Sequence, residues 1–242
     1  MYDSFMRTYL KIIRTLSNLI DYFLLVVFLL VFVIGAYSLL DTVSVYASAQ
    51  NKSVLKYRPE KGEVLQPELS GNIAWLSMED SEIDYPVMQG ENNEEYLNKD
   101  PYGQYSLSGS VFLDYRNEPD FSDQYNIAYG HHMEKKMMFG ALDEWNSKEF
   151  FETHKEGTLT TEEGVYTLAV YAVLDTPATV AQLFQPHAYS FEEVLEAIQE
   201  RAIFANEDVI PTHLVALSTC KYPDTDDRTV VVCQIIPAQK DS

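Results

Sequence analysis

Apolar residues follow two different patterns along this chain. Near the N-terminus, Tyr22 to Leu40 is an uncharged run of 19 residues, YFLLVVFLLVFVIGAYSLL, bracketed by Asp21 and Asp41. As a helix it rises about 28 Å, close to the hydrocarbon thickness of a bilayer. A core helix keeps polar residues on one side; this run has apolar residues all round, which predicts a transmembrane anchor at 22–40. Arg7, Lys11 and Arg14 precede the run, and the next basic residue is Lys52. The positive-inside rule then places 1–21 in the cytoplasm and the bulk of the chain outside the cell membrane, in a single-pass arrangement. Ala47-Ser48-Ala49 also has the small-residue pattern of a cleavage site, so a cleaved signal peptide is the competing reading. The length of the apolar run favours a retained anchor.

The second pattern begins after a break. Residues 41–70 show no clean period and contain Gln50, Asn51, Pro59, Gly62 and Pro67, which predicts an extracellular tether. The head, 71–242, has 172 residues, enough for one core. Short apolar runs bounded by turn residues predict strands at 73–76, 85–88, 110–113, 126–129, 165–174, 213–219 and 229–236. Helices are predicted at Met137–Asn146 and Ser190–Ile203. In the second, Ser190 caps, Glu193 stands three residues on, and Val194, Leu195, Ile198 and Ala202 form one stripe. The sum is a mainly β domain, a barrel with peripheral helices.

Composition narrows the partners. The chain carries 17 Lys+Arg against 37 Asp+Glu, net −20. Residues 1–41 hold three basic and three acidic side chains, so the whole charge belongs to 42–242. Such a surface repels phosphate backbones, which argues against nucleic acid. Aromatic residues make up 13% of the chain, enough to build a core rather than a disordered segment. Two cysteines cannot form a disulfide scaffold.

Candidate chemistry lies at strand ends. Cys220 closes the run Ala216-Leu217-Ser218-Thr219-Cys220, just before the loop Lys221-Tyr222-Pro223. It is either a small buried hydrophobe, the usual fate of a free cysteine, or a nucleophile at a cleft. A disulfide to Cys233 is the third option. If the last two strands pair with Cys220 opposite Arg228, Cys233 faces Val215, on the order of 16 Å away, where a disulfide needs about 7 Å. Cys233 then belongs to the core. Gly130-His131-His132-Met133 follows another strand run, so His131 also sits at a strand-to-loop junction. Imidazole can stabilise a thiolate and protonate a leaving amine near neutral pH; a surface histidine pair is the plainer reading. No H-E-x-x-H or cysteine pair at ligand spacing points to a metal. His154, His187 and His213 lie outside any motif. Arg228 opens the last strand, eight residues after Cys220, and can either hold a developing oxyanion or pair with Asp226 or Asp227.

Taken together these elements resemble the sortases, class B in particular. Leu217-Ser218-Thr219-Cys220 matches the L-x-T-C nucleophile motif, and Arg228 matches the arginine opening the next strand. Tyr129-Gly130-His131-His132-Met133 resembles the histidine motif. Ile83 to Gly90 (IDYPVMQG) and Gly109 to Asp114 (GSVFLD) are similar to upstream family stretches, and the likeness runs through about 71–237. The resemblance implies an eight-stranded sortase β-barrel with peripheral helices, on a membrane-anchored cysteine transpeptidase of a Gram-positive cell. It implies Cys220 as nucleophile, His131 as general acid/base and Arg228 as oxyanion stabiliser, with Ser218, Thr219 and Asn93 binding substrate. It implies no cofactor. The expected partners are secreted proteins bearing an NPxTN-like or LPxTG-like sorting signal, and an amine acceptor from a peptidoglycan precursor or a pilin lysine.

Two departures bear on specificity. Ala216 stands where the family often has threonine. Asn92-Asn93 and Glu95-Tyr96-Leu97 stand where class B members often show Asp-Asn and Tyr-Tyr-Leu. Two other functions use the same features. A hydrolytic surface cysteine protease would pass the acyl group to water, though papain-like enzymes carry cysteine before histidine and here histidine comes first. A non-catalytic membrane-anchored surface protein would account for the acidic head, but not for His131, Cys220 and Arg228 in that order.

Overall fold

Why the head closes into a barrel follows from its strand lengths and pairings. The computed structural model describes the backbone of residues 2–49, 52–220 and 227–238, and their side chains except 2–5, 8, 47–49, 52 and 220. The chain divides into two compact units, Met1–Ala47 and Ser48–Ser242. The first is helix α1 (Tyr2–Ala49), which runs past the unit boundary and contains a stretch long and apolar enough to cross a membrane. The side chains of 22–40 are exposed almost throughout, as an anchor that faces lipid requires.

The second unit holds β1 (Asn72–Met78), β2 (Asp84–Met88), β3 (Val111–Leu113), β4 (Tyr125–Gly130), β5 (Glu156–Thr161), β6 (Val165–Pro177), β7 (Ala202–Ala205), β8 (Leu214–Cys220) and β9 (Asp227–Pro237). Eight of them pair in the ring β1-β2-β3-β4-β8-β9-β6-β5 and back to β1. The long β6 makes closure possible. Its first part pairs with β5, and its second part pairs with the added strand β7. The seven strand runs predicted from sequence all form. The Thr-rich β5 and the four-residue β7 have too little apolar alternation to be read in advance.

Helices cover the outside. Besides α1 there are α2 (Lys148–Thr153), α3 (Ala181–Phe184) and α4 (Phe191–Arg201). The start of α4 carries the expected capping box, Ser190 accepting from the Glu193 N–H and Glu193 accepting from the Ser190 N–H. Its Val194, Ala197 and Ile198 pack on Ile127, Ala216, Val230 and Leu174, one outer face of β4-β8-β9-β6. The helix predicted at 137–146 forms as a 3-10 stretch, Phe139–Asn146, with α2 after it. Met138 at φ 50° precedes the stretch, which cannot extend back through that residue as an α-helix.

The stretch read as a tether contributes to the head. A 3-10 turn spans Lys52–Tyr57, and Val54, Leu65 and Leu69 are buried against Trp75. The Leu65 N–H donates to Thr161 O at 2.9 Å, Ser53 Oγ and Tyr102 OH lie 2.7 Å apart, and Arg58 pairs with Asp84 at 3.2 Å. Apolar residues spaced this widely have no readable period, which is why the sequence pattern misses them.

Leu65→Ala should therefore lower the unfolding free energy by about 2–5 kcal/mol. Lys61→Ala, at an exposed position of the same stretch, should leave it within about 0.5 kcal/mol. Urea titration of the full chain measures both. An unmoved midpoint for Leu65→Ala would show that the stretch adds nothing to the fold.

Candidate active site

Three strand ends meet at one level of the barrel. Gly130 is the partner of Thr219 in the parallel β4–β8 ladder, so the chain leaves β4 into His131 beside the end of β8. In the antiparallel β8–β9 ladder Cys220 is the partner of Arg228, and Val215 of Cys233, the register expected from sequence. Arg228 in turn stands opposite Thr176 on β6. Positions 176, 220 and 228 thus form one row, on the sheet face that also carries Leu174, Ser218 and Val230. The Cys220 side chain and the loop 221–226 lie outside the described residues.

His131 is half-buried, and its Nε2 lies 2.7 Å from Leu97 O. A carbonyl oxygen only accepts, so Nε2 carries the proton in this contact and Nδ1 is left as the basic nitrogen of the neutral ring. The loop behind it is fixed by its backbone. Phe139 N–H donates to His131 O at 3.0 Å, and Met138 N–H donates to the Tyr85 hydroxyl oxygen at 2.9 Å. Lys135 and Lys136, at φ 60° and 59°, make the tight turn between. Gly130 admits this packing, since a Cβ there would come within 2.8 Å of the Phe139 ring. The neighbouring His132 does not share the position of His131. Its Nε2 is 2.8 Å from Asp143 Oδ2.

The residues expected to bind substrate are placed differently from one another. Ser218 lies in the row below position 220; its hydroxyl is buried and has no hydrogen-bond partner among the described residues. Thr219 is buried on the barrel side. Asn93 stands apart from these and joins two loops, donating from Nδ2 to Asp114 Oδ2 at 2.9 Å and accepting from Tyr115 N–H at 3.0 Å. Of the two cysteines, Cys233 is free and wholly buried, and burial pushes its thiol up to about 12.

Other groups near the site were not singled out as site residues in the sequence, although Asp114 and Tyr129 stand at the ends of stretches quoted above. Asp114 is fully buried and takes Arg116 through both oxygens, at 2.8 and 2.7 Å, with the Tyr129 hydroxyl donating to it at 3.1 Å. Burial alone would raise the Asp114 carboxyl. The hydrogen bonds from Arg116 and Asn93 outweigh it and hold the group below the usual carboxylate range. Tyr129, partly buried next to that charge, keeps its proton well above neutral pH and stays a donor. The cluster sits immediately before Gly130-His131, so it fixes the strand that delivers the histidine. Thr176 is the second group, with a buried hydroxyl that has no partner among the described residues, in the row of Cys220 and Arg228. Only the β6–β9 register reveals it.

A nucleophile position opposite a guanidinium-bearing position, with an imidazole at the adjoining strand end, is a layout suited to acyl transfer. Comparison with known proteins agrees. A family model described as a sortase domain matches residues 76–236. A curated relative, Sortase B of Staphylococcus aureus (strain NCTC 8325 / PS 47), is 30% identical over 172 residues, covering 68% of this chain and 70% of that protein. The crystal structure of a Streptococcus pyogenes class B sortase involved in pilus biogenesis is similar with a TM-score of 0.64 at 43% identity, over 69% of this chain and 93% of the other. A Staphylococcus aureus sortase B–substrate complex gives a TM-score of 0.66 at 26% identity, over 79% and 93%. The match runs from within β1 to the penultimate residue of β9, and the chain belongs to the sortase family of cysteine transpeptidases, in its class B.

Proposed function

We propose that this enzyme cleaves a C-terminal sorting signal after threonine, holds the protein as a thioacyl ester on Cys220, and passes it to the ε-amine of a pilin lysine. The observation that carries the reading is the shared register of β4, β8 and β9, which sets Cys220 opposite Arg228 and brings His131 alongside. A pilin lysine is favoured over a peptidoglycan precursor because the 43% identical neighbour is a sortase involved in pilus biogenesis. Helix α1 anchors the enzyme with its N-terminus in the cytoplasm, as the basic residues Arg7, Lys11 and Arg14 favour.

The chemistry divides into two halves. The Cys220 thiolate attacks the threonine carbonyl carbon, a C–S bond forms, and the carbonyl electron pair moves to oxygen, where Arg228 stabilises it. Collapse breaks the C–N bond, and the departing amine takes a proton from His131 imidazolium. The acceptor amine then attacks the thioester, gives its surplus proton to His131, and the C–S bond breaks to return the thiolate. Leu97 O keeps Nε2 protonated, so Nδ1 is the nitrogen that gives and takes the proton. The buried hydroxyls of Ser218 and Thr176, without a partner among the described residues, lie on the same face as Cys220 and supply hydrogen-bonding capacity for an extended peptide. Asn93 acts on substrate through the Asp114 cluster, since both ends of its amide are already engaged there.

The test uses the full chain in detergent, with fluorogenic peptides bearing NPxTN-like and LPxTG-like signals and a lysine-containing acceptor peptide. Cleavage yields a product ligated through the lysine amine, and Cys220→Ala reduces it by at least about 10³-fold. Arg228→Ala costs about 10²–10³ in kcat. Product released only to water, with acceptor present, would make the enzyme a hydrolase; undiminished turnover by Cys220→Ala would remove the assignment altogether.

Thiol counting gives a separate check. Alkylation at neutral pH in the native state modifies one cysteine and in denaturant two, because the Cys233 thiol is buried and stays protonated. Native alkylation that reaches Cys233 first would contradict the reading.

A further inference from the structure

Two histidines follow one another at the end of β4, and the proposed chemistry uses only His131. His132 turns to Asp143, with Nε2 2.8 Å from Oδ2. The other oxygen of the same carboxylate, Oδ1, accepts from Thr229 Oγ1 at 3.0 Å. One carboxylate therefore ties the residue after His131 to the residue after Arg228, across 86 positions of sequence between Asp143 and Thr229. The base of the bridge is rigid. Asp143 stands on the 3-10 stretch Phe139–Asn146, whose Phe139, Ala141, Leu142 and Trp145 are fully buried.

The identity of residue 229 is informative. Thr229 is fully buried and is followed on β9 by Val230, Val231 and Val232. Valine fills nearly the same volume, so packing alone gives no reason for a hydroxyl there, and a buried hydroxyl is costly without a partner. Its partner is Asp143. His132, at the other end, is only partly exposed and has the one acceptor it needs.

We propose that His132, Asp143 and Thr229 are positioning residues, a clamp that sets the separation between the His131 imidazole and the Arg228 guanidinium. The proposal rests on the roles assigned to His131 and Arg228 above. Leu97 O holds the His131 ring from one side, and the clamp holds its backbone from the other. Proton delivery and oxyanion stabilisation act on the same tetrahedral centre, so an error in their spacing slows the chemical step and leaves peptide binding alone. A misplacement of about 1 Å can cost about 10²-fold.

The experiment compares His132→Ala, His132→Gln, Thr229→Val, Thr229→Ser and Cys220→Ala in the full chain, with the peptide and acceptor assay. His132→Ala and Thr229→Val each lower kcat by on the order of 10-fold, with KM within about twofold of wild type. His132→Gln and Thr229→Ser keep the donor and recover most of the rate. The double variant is no slower than either single, because the two act through one carboxylate. Because the His132 side chain lies at the rim, that pair of variants reads the proposal even where Thr229→Val lowers stability. A kcat within twofold of wild type for His132→Ala, with Cys220→Ala inactive, overturns the clamp and leaves the nucleophile assignment standing. A KM rise in place of the kcat loss, or losses that add in the double variant, also overturns it. Full activity of Cys220→Ala strikes the underlying reading instead.

Discussion

Slipping β9 by one residue against β8 would turn Val231 and Cys233 away from the barrel interior and bring Val230 and Arg228 into it. Neither face tolerates that exchange. The interior holds a run of fully buried apolar residues, and the outer face is capped by Val194, Ala197 and Ile198 of α4. A guanidinium placed in the interior would be a buried charge without a partner, several kcal/mol uphill. The register is thus fixed by burial on both sides of the sheet. The Cys220–Arg228 pairing follows from it without any contact between the two residues being required. Closure of the barrel reinforces the constraint, since β9 is also paired along its length with β6 and β8 with β4.

Burial and register also decide which parts of the molecule are legible in the sequence. The register was legible because it needs only a short loop between two apolar runs, with Cys220 and Arg228 at its ends. Helix α4 was legible from Ser190, Glu193 and a stripe of period 3.6, all local signals. The three residues proposed for catalysis, His131, Cys220 and Arg228, stand in three motifs, each at the end of a strand run. What could not be read depends on residues far apart in sequence. Val54, Leu65 and Leu69 become core only once Trp75 is in place, and β5 becomes a strand only because β1 and β6 offer it two edges. Thr176 and the Asp143–Thr229 bond appear only when the register of three strands is known. Asp114 and Arg116 stand two apart and look like an ordinary surface pair; it is burial that makes them a network.

That network shows how a buried charge is kept in a small barrel. Asp114 has no solvent, so each oxygen must find donors within the protein, and Arg116, Asn93 and Tyr129 provide them. The carboxylate is stable only while all of these are present. The arrangement therefore couples the loop carrying Asn93, the loop after β3, and β4 at Tyr129. Arg116 extends it to the α3 region by donating to Phe184 O at 2.9 Å. Local rigidity at the histidine strand is in this sense inherited from an electrostatic requirement one residue upstream of Gly130.

The three groups proposed for catalysis are supported in unequal ways, and the inequality suits the tasks proposed for them. Cys220 and Arg228, the proposed nucleophile and oxyanion stabiliser, stand on paired strands, where backbone hydrogen bonds hold positions to a fraction of an ångström. Acyl transfer needs those two fixed, because the carbonyl oxygen moves little as it gains charge. The acid/base must serve a leaving amine and then an incoming one, which do not occupy the same point. His131 accordingly sits just beyond its strand, on a loop of strained backbone at Lys135, Lys136 and Met138. Among the described residues its ring is tethered by one carbonyl at Nε2, so Nδ1 can turn through a small arc about that bond while the loop beneath it stays in place. A histidine on the strand itself would be too fixed for both amines, and one on an untethered loop would seldom be in reach of either.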